Sequence, residues 1–306
     1  MNAVRWLMLM VALTAPLLLL VANEYAVARP SRRTADIAYV AANAPDFDAE
    51  RHRLDVYAPR RRAAAGHPVV VFIHGGNWNS GRKEIYRFIG RHLTKQGVVA
   101  VVINYRLSPQ VQVPAMANDC ARAVLWTKEH IKEFGGDPER IYLMGHSAGG
   151  GLAALLATNN ALFAQLGLKE NPVRGVILND PAGLNMYSYL LKKQYPDDSQ
   201  YMVAFGNKPE GWRQVSPYYY LTPKSPPFLI FVGGETYGSI ASSSEDFRQR
   251  LTELGHRPGF TVMEGKKHVP MVLQLYWKNN LIYRQLLPFV GAKPQPEHLG
   301  SAQGQP

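Results

Sequence analysis

The sequence predicts an α/β fold, a mostly parallel central sheet with helices on both faces. From about residue 36, short β-branched runs alternate with longer segments of helical period. Several runs are apolar without a break, as in Val69-Val70-Val71-Phe72-Ile73 and Val98-Val99-Ala100-Val101-Val102-Ile103, the mark of strands buried on both faces. With 46% hydrophobic and 19% charged residues over 306 positions, the chain can fill a large core, and disorder is excluded as its main state.

Taken in order, the first segment reads as a targeting signal. Arg5 precedes a 17-residue apolar run, Trp6 to Ala22, broken only by Thr14 and Pro16, and Ala26-Val27-Ala28 has the small-x-small form of a cleavage site. Residues 1–28 are therefore expected to be a signal peptide, or else an uncleaved membrane anchor, with the rest exported to the periplasm or secreted. The folded domain is expected over 36–291. Its strands are predicted at 54–57, 69–74, 98–104, 141–145, 175–179, 228–232 and 260–263. Its helices are predicted at 84–96, 115–134, 148–161, 243–254 and 271–287. Gly135-Gly136 and Asp137-Pro138 break the chain before the fourth of these strands.

Residues 183–222 depart from this rhythm. They are rich in Tyr, Pro, Lys and Asn, and include Tyr187, Tyr189, Tyr195, Tyr201, Trp212 and Tyr218-Tyr219-Tyr220. Such an insertion is either a lid bearing a substrate surface or a helical excursion that packs its rings inward. Residues 292–306, rich in Pro, Gln and Gly, read as a loose tail.

Lys and Arg number 34 against 23 Asp and Glu, a net charge of +11. Part of the excess lies in Arg29, Arg32, Arg33, Arg51, Arg53 and Arg60-Arg61-Arg62, scattered through expected loops. No zinc-finger or aromatic RNA-binding pattern accompanies them, so a solvated basic surface accounts for them and no nucleic-acid partner is expected. The single cysteine, Cys120, excludes an internal disulfide and a Cys-based zinc site. No H-E-x-x-H cluster and no phosphate-cradling Gly-rich loop ending in Lys-Ser/Thr occurs. No metal or cofactor is expected.

Two motifs carry chemistry. Gly145-His146-Ser147-Ala148-Gly149 follows an apolar strand and precedes a helix of small residues. A turn that sharp strains the serine and exposes its hydroxyl, and the helix behind it favours negative charge. His74-Gly75-Gly76-Asn77-Trp78 ends another strand, and glycines there let backbone N–H groups face a cleft. The amides of Gly76, Asn77 and Ala148 are the expected oxyanion donors, with His74 and Gly75 bracing the loop.

These motifs, with Leu54-Asp55-Val56-Tyr57-Ala58-Pro59, Asn104-Tyr105-Arg106-Leu107-Ser108-Pro109 and Gly136-Asp137-Pro138-Glu139-Arg140-Ile141, resemble an α/β-hydrolase of the esterase branch. That branch includes carboxylesterases, feruloyl-esterase-like domains and kynurenine formamidases. The resemblance covers the N-terminal two-thirds of the mature chain well and the rest more loosely. His-Gly-Gly followed by x-Trp is nearer to the feruloyl-esterase-like and formamidase groups. Asn77 departs from a third glycine and narrows the acyl side.

The resemblance implies the α/β-hydrolase fold, with its order of serine, acid, histidine. Only His256, His268 and His298 follow Ser147, and His268 falls in the loop after the strand at 260–263. The acid should follow the strand at 228–232, where Glu235 stands. Asp246 and Asp180 are the alternatives, with Glu264 behind them. The expected activity is hydrolysis of small-molecule carboxylic esters through an acyl-enzyme. A formamidase or amidase of the same mechanism is the alternative, and a non-catalytic binding protein of the same fold the outside case. The basic, aromatic character suggests aromatic or anionic acyl groups.

Overall fold

The alternation of side chains along a strand explains how one apolar run serves two layers. In the computed structural model, which describes residues 31–192 and 200–292, Val69, Val71 and Ile73 enter one core, while Val70 and Phe72 enter the other. The next strand divides likewise, with Val99, Val101 and Ile103 on one side and Ala100 and Val102 on the other. Each of these residues is fully buried.

Eight strands form one sheet: β1 (Ser31–Ala38), β2 (Arg53–Pro59), β3 (His67–Ile73), β4 (Val99–Ile103), β5 (Gly136–Ser147), β6 (Val173–Pro181), β7 (Phe228–Gly233) and β8 (Gly259–Met263). Their order is β1-β2-β4-β3-β5-β6-β7-β8. β1 pairs antiparallel with β2 and β2 with β4, and every other pairing is parallel. The helices α1 (Arg87–Lys95), α2 (Val113–His130) and α3 (Ala148–Thr158) are followed by three in the insertion, α4 (Met186–Lys192), α5 (Gln200–Phe205) and α6 (Pro209–Gln214). Then come α7 (Gly238–Glu253), α8 (His268–Leu273) and α9 (Leu281–Phe289). α2, α3 and α7 bury their apolar residues in one core, and α1 and α9 in the other. This is the helix-covered, mostly parallel sheet that the sequence predicts.

Three local departures stand beside this agreement. β1 begins at Ser31, before the expected start, so Arg32 and Arg33 lie in a strand and not a loop. An edge strand facing solvent needs no apolar run, and so left no signal. Asp36, at φ +58°, sits at an irregularity in the β1–β2 register. Its N–H donates to buried Asp55, which also receives Arg33 at 2.7 Å and Lys83 at 2.8 Å. The helix predicted at 271–287 is two helices, because Asn280 caps a new start by accepting the Tyr283 N–H. The one predicted at 84–96 opens with a 3₁₀ turn, Lys83–Tyr86.

The segment 183–222 contributes α4, α5 and α6 between β6 and β7. Leu190, Phe205 and Trp212 are buried in the core, whereas Tyr189 and Tyr201 face the cleft below, so this segment is both packing element and cleft wall. Residues 1–28, Tyr195, His298 and the tail after Ala292 lie outside the described residues. Among the described residues no helix is long and apolar enough to cross a membrane.

Candidate active site

The carboxyl ends of β3, β5 and β6 meet at one cleft, because parallel strands bring all their outgoing loops to the same edge. β5 ends at Ser147, which adopts φ +54°, ψ −127° before the chain enters α3. That conformation is costly for a non-glycine residue and turns the side chain off the strand. The turn closes only because Gly145 and Gly149 lack side chains. A Cβ on Gly145 would strike the Gly149 carbonyl, and one on Gly149 would strike the Ile73 carbonyl at the end of β3.

Ser147 Oγ lies 2.8 Å from Nε2 of His268, at the start of α8. The other ring nitrogen, Nδ1, lies 2.6 Å from Oδ2 of Asp180 at the end of β6. Asp180 is fully buried, and its carboxylate also accepts the Gly233 N–H at 2.8 Å and the Thr236 hydroxyl. The residue itself is held at φ +51°.

Glu235 does not reach the histidine, which corrects the expectation from the sequence. It is exposed, and its backbone N–H donates to the Lys266 carbonyl at 3.0 Å. The loop after β7 instead supplies the Thr236 hydroxyl to the carboxylate of Asp180. β6 and β7 are neighbours, so a carboxylate from either can approach α8, and only the geometry chooses. Asp246 and Glu264 are exposed. His256 bonds the Thr222 carbonyl away from the cleft.

The turn after β3 carries three successive residues with positive φ, Gly76 at +123°, Asn77 at +53° and Trp78 at +59°. It brings Gly76 and Asn77 to the cleft beside Ser147. Ala148 opens α3, so its N–H belongs to the helix's first turn, where no intrahelical acceptor exists. His74 is buried, and its Nδ1–H donates to the Gly75 carbonyl at 2.7 Å. Its ring stacks on Tyr105 at 4.5 Å. It braces the loop without contacting the serine, and Gly75 leaves room for the elbow, since a Cβ there would crowd Ser147.

His146, read in the sequence only as the variable position of its motif, ties the two halves together. Its Nε2–H donates to the His268 carbonyl at 3.2 Å, and its ring stacks on that of His268 at 4.8 Å. Neither contact has a sequence signal, since the partners are 122 residues apart.

The cleft encloses about 890 Å³ and is walled by Trp78, Tyr86, Tyr189, Tyr201 and Tyr237. Among the described residues that line it, none is Lys, Arg, Asp or Glu. Among the described residues, the basic character of the surface does not extend into the wall. Asp46, His52 and Asp119 lie close enough to offer one ligand atom each to an ion. Arg106 and Arg122 already neutralise those carboxylates, at 2.6 Å to Asp119 and 2.8 Å to Asp46. Burial opposes the charge on Asp119, but His52, 3.0 Å away, and hydrogen bonds from Arg106 hold its carboxyl below the usual range. This donor set suits an ion-pair network and not a metal.

Burial pushes the imidazoles of His74, His92 and His146 down to about 4, the last helped by the neighbouring His268. Between about pH 6.5 and 4 the unfolded chain binds protons at these positions that the native protein refuses. Stability is therefore lost as pH falls through that window, by up to about 3 kcal/mol for each histidine. Urea unfolding at pH 7.5, 6 and 5 should show a falling midpoint, and a shallower fall in His92→Gln. An identical fall in the variant would exclude His92 as a contributor.

The chain is similar to known proteins in sequence and in fold. The BD-FAE family model matches residues 54–251, well over half of the chain. An isoprenylcysteine alpha-carbonyl methylesterase of Arabidopsis thaliana is 29% identical over 88% of this chain and 65% of its own length. Esterase LipQ of Mycobacterium tuberculosis is 30% identical over 65% of this chain and 48% of its own. The chain thus spans about half to two-thirds of the length of these relatives. In fold it is similar to esterase B from Lactobacillus rhamnosis, with a TM-score of 0.68 at 21% identity, covering 94% of this chain and 95% of that one. It is similar too to a truncated carbohydrate esterase from gut microbiota, with a TM-score of 0.71 at 20% identity, covering 85% and 95%. From its strand order, its strained serine elbow and the family match, the chain belongs to the BD-FAE family, among the α/β-hydrolase esterases.

Proposed function

We propose that this chain is a serine hydrolase of uncharged carboxylic esters. The observation that carries the reading is the continuous relay from Ser147 Oγ through His268 to Asp180, at 2.8 and 2.6 Å, opening on the cleft. Ester hydrolysis in the named relatives supports it. A binding protein would need neither the relay nor the strain at Ser147.

In the proposed mechanism, Ser147 Oγ attacks the acyl carbon while His268 Nε2 takes its proton. Asp180 holds the Nδ1–H tautomer and balances the imidazolium. The oxyanion forms against the amides of Gly76 or Asn77 and Ala148, preorganised by the strained turn and the helix start. His268 then protonates the leaving alkoxide, and water repeats the sequence on the acyl-enzyme.

The uncharged cleft wall replaces the anionic acyl group suggested by overall charge. An anionic substrate would have to leave water beside Tyr and Trp rings with no cation opposite among the described residues, which is costly. A matched pair tests this: p-nitrophenyl butyrate and the p-nitrophenyl monoester of succinic acid, both four-carbon acids. The butyrate should show a kcat/KM at least about tenfold higher. Equal or faster turnover of the anion would place a cation in the site and overturn the neutral-substrate reading. Silence on every ester, with turnover of N-formylkynurenine, would move the activity to a formamidase.

A further inference from the structure

We propose that Trp78 is a partition that closes the acyl arm of the cleft, so that the natural substrates are esters of short acids. The inference rests on the ester-hydrolase reading above. Beside the cleft lies a second, small apolar space of about 10 Å³, walled by Val113, Leu152, Leu155, Phe205 and Val215. That is barely room for one water molecule. Trp78 and Gly183 are the two residues common to both spaces, so the indole stands between them.

Its placement is conspicuously constrained. Trp78 is only 3% exposed although it borders the cleft. It sits at φ +59°, a left-handed conformation rare for a bulky residue. Its ring packs edge-on against Phe205 at 4.8 Å and Tyr201 at 6.0 Å. Opposite, residue 183 is a glycine at φ +89°, and a Cβ there would come within 2.8 Å of the indole Cζ2. Backbone strain, two aromatic neighbours and a cut-away glycine all hold one side chain in one place. Such strain persists only where the surroundings over-determine it, and it clusters at functional sites.

The direction of the acyl arm follows from the proton path. The leaving group must sit where His268 can protonate it, and the Tyr237 ring lies 5.2 Å from that imidazole. The leaving group therefore lies towards Tyr237 and Val269. Trp78 follows the oxyanion turn, packed on the insertion helix that carries Tyr201 and Phe205, so the acyl chain points at the indole. An acyl chain longer than a few carbons meets the ring before it is fully buried.

The test uses the full chain and the graded variants Trp78→Phe and Trp78→Leu. Two substrate series are compared, p-nitrophenyl esters from acetate to octanoate and acetate esters from ethyl to octyl. Wild type should prefer the short acyl esters. Trp78→Leu should move the octanoate-to-acetate ratio of kcat/KM upward by about tenfold or more, and Trp78→Phe by less. The alcohol series should not move. An acyl ratio within about twofold of wild type in the folded variants overturns the proposal. So does a shift confined to the alcohol series, or a wild type with equal rates on octanoate and acetate. If Trp78→Leu does not fold, Trp78→Phe decides. If wild type turns over no ester at all, the hydrolase reading fails on its own, and the partition is read from melting temperature. In that case 1-octanol should raise the Tm of Trp78→Phe and Trp78→Leu but not of wild type, and no difference among the three overturns it.

Discussion

Ser147→Ala should lower kcat on p-nitrophenyl butyrate by about 10⁵- to 10⁶-fold, with the protein folded and its melting temperature nearly unchanged. The loss is this large because the hydroxyl forms the bond to carbon, and no neighbour can replace it. Alanine fits without rearrangement, since Ser147 contributes one hydroxyl, 2.8 Å from His268, and its backbone is fixed by the β5–α3 turn. Residual turnover above water would measure what the oxyanion amides and the cleft supply without the nucleophile. A phosphonate ester should label wild type at this serine and leave the variant unmodified by mass spectrometry. Retention of a tenth of the activity in a folded Ser147→Ala protein would rule out the serine mechanism.

Asp180→Asn should lower kcat by about 10³- to 10⁴-fold, whereas Glu235→Gln should stay within about twofold of wild type. The carboxylate of Asp180 accepts from His268 Nδ1, the Gly233 N–H and the Thr236 hydroxyl. An asparagine keeps the size but presents two N–H donors to a pocket built of donors. Either the amide NH₂ faces the histidine and forces the wrong tautomer, or it faces Gly233 and leaves a buried clash. KM should change little, because the residue lies behind the histidine and touches no substrate. Glu235 bonds the Lys266 carbonyl through its backbone N–H, and the residue is exposed to solvent. Paired kinetics decide directly, since collapse in Glu235→Gln with near-normal Asp180→Asn would return the role to the loop after β7.

The contrast between these two carboxylates shows where reading a sequence stops. Asp180 ends one apolar strand and Glu235 follows the next, so both stand at the same edge of the sheet. Position along the chain favoured Glu235, by one strand. The choice depended on a left-handed backbone at Asp180, a burial of zero exposure and a threonine in the place expected for the acid. His146 is a similar case. It stands beside the nucleophile in sequence, yet its partners are the ring and carbonyl of a residue 122 positions away. The edge strand β1 was invisible for a different reason, as its residues satisfy solvent on one side and need no apolar pattern.

By itself the sequence determined the sheet with its two helical layers, the serine elbow and the glycine turn after β3. Each of these is local. Uninterrupted apolar runs specify doubly buried strands, and glycines at fixed spacing are required wherever two backbones must touch. Only the tertiary structure decided the acid, the clamp on His268, the uncharged wall and the indole between cleft and apolar space. Those depend on which loops of a parallel sheet converge and on how deep each side chain lies. Distance and burial are properties of the folded surface, and no interval along the chain encodes them.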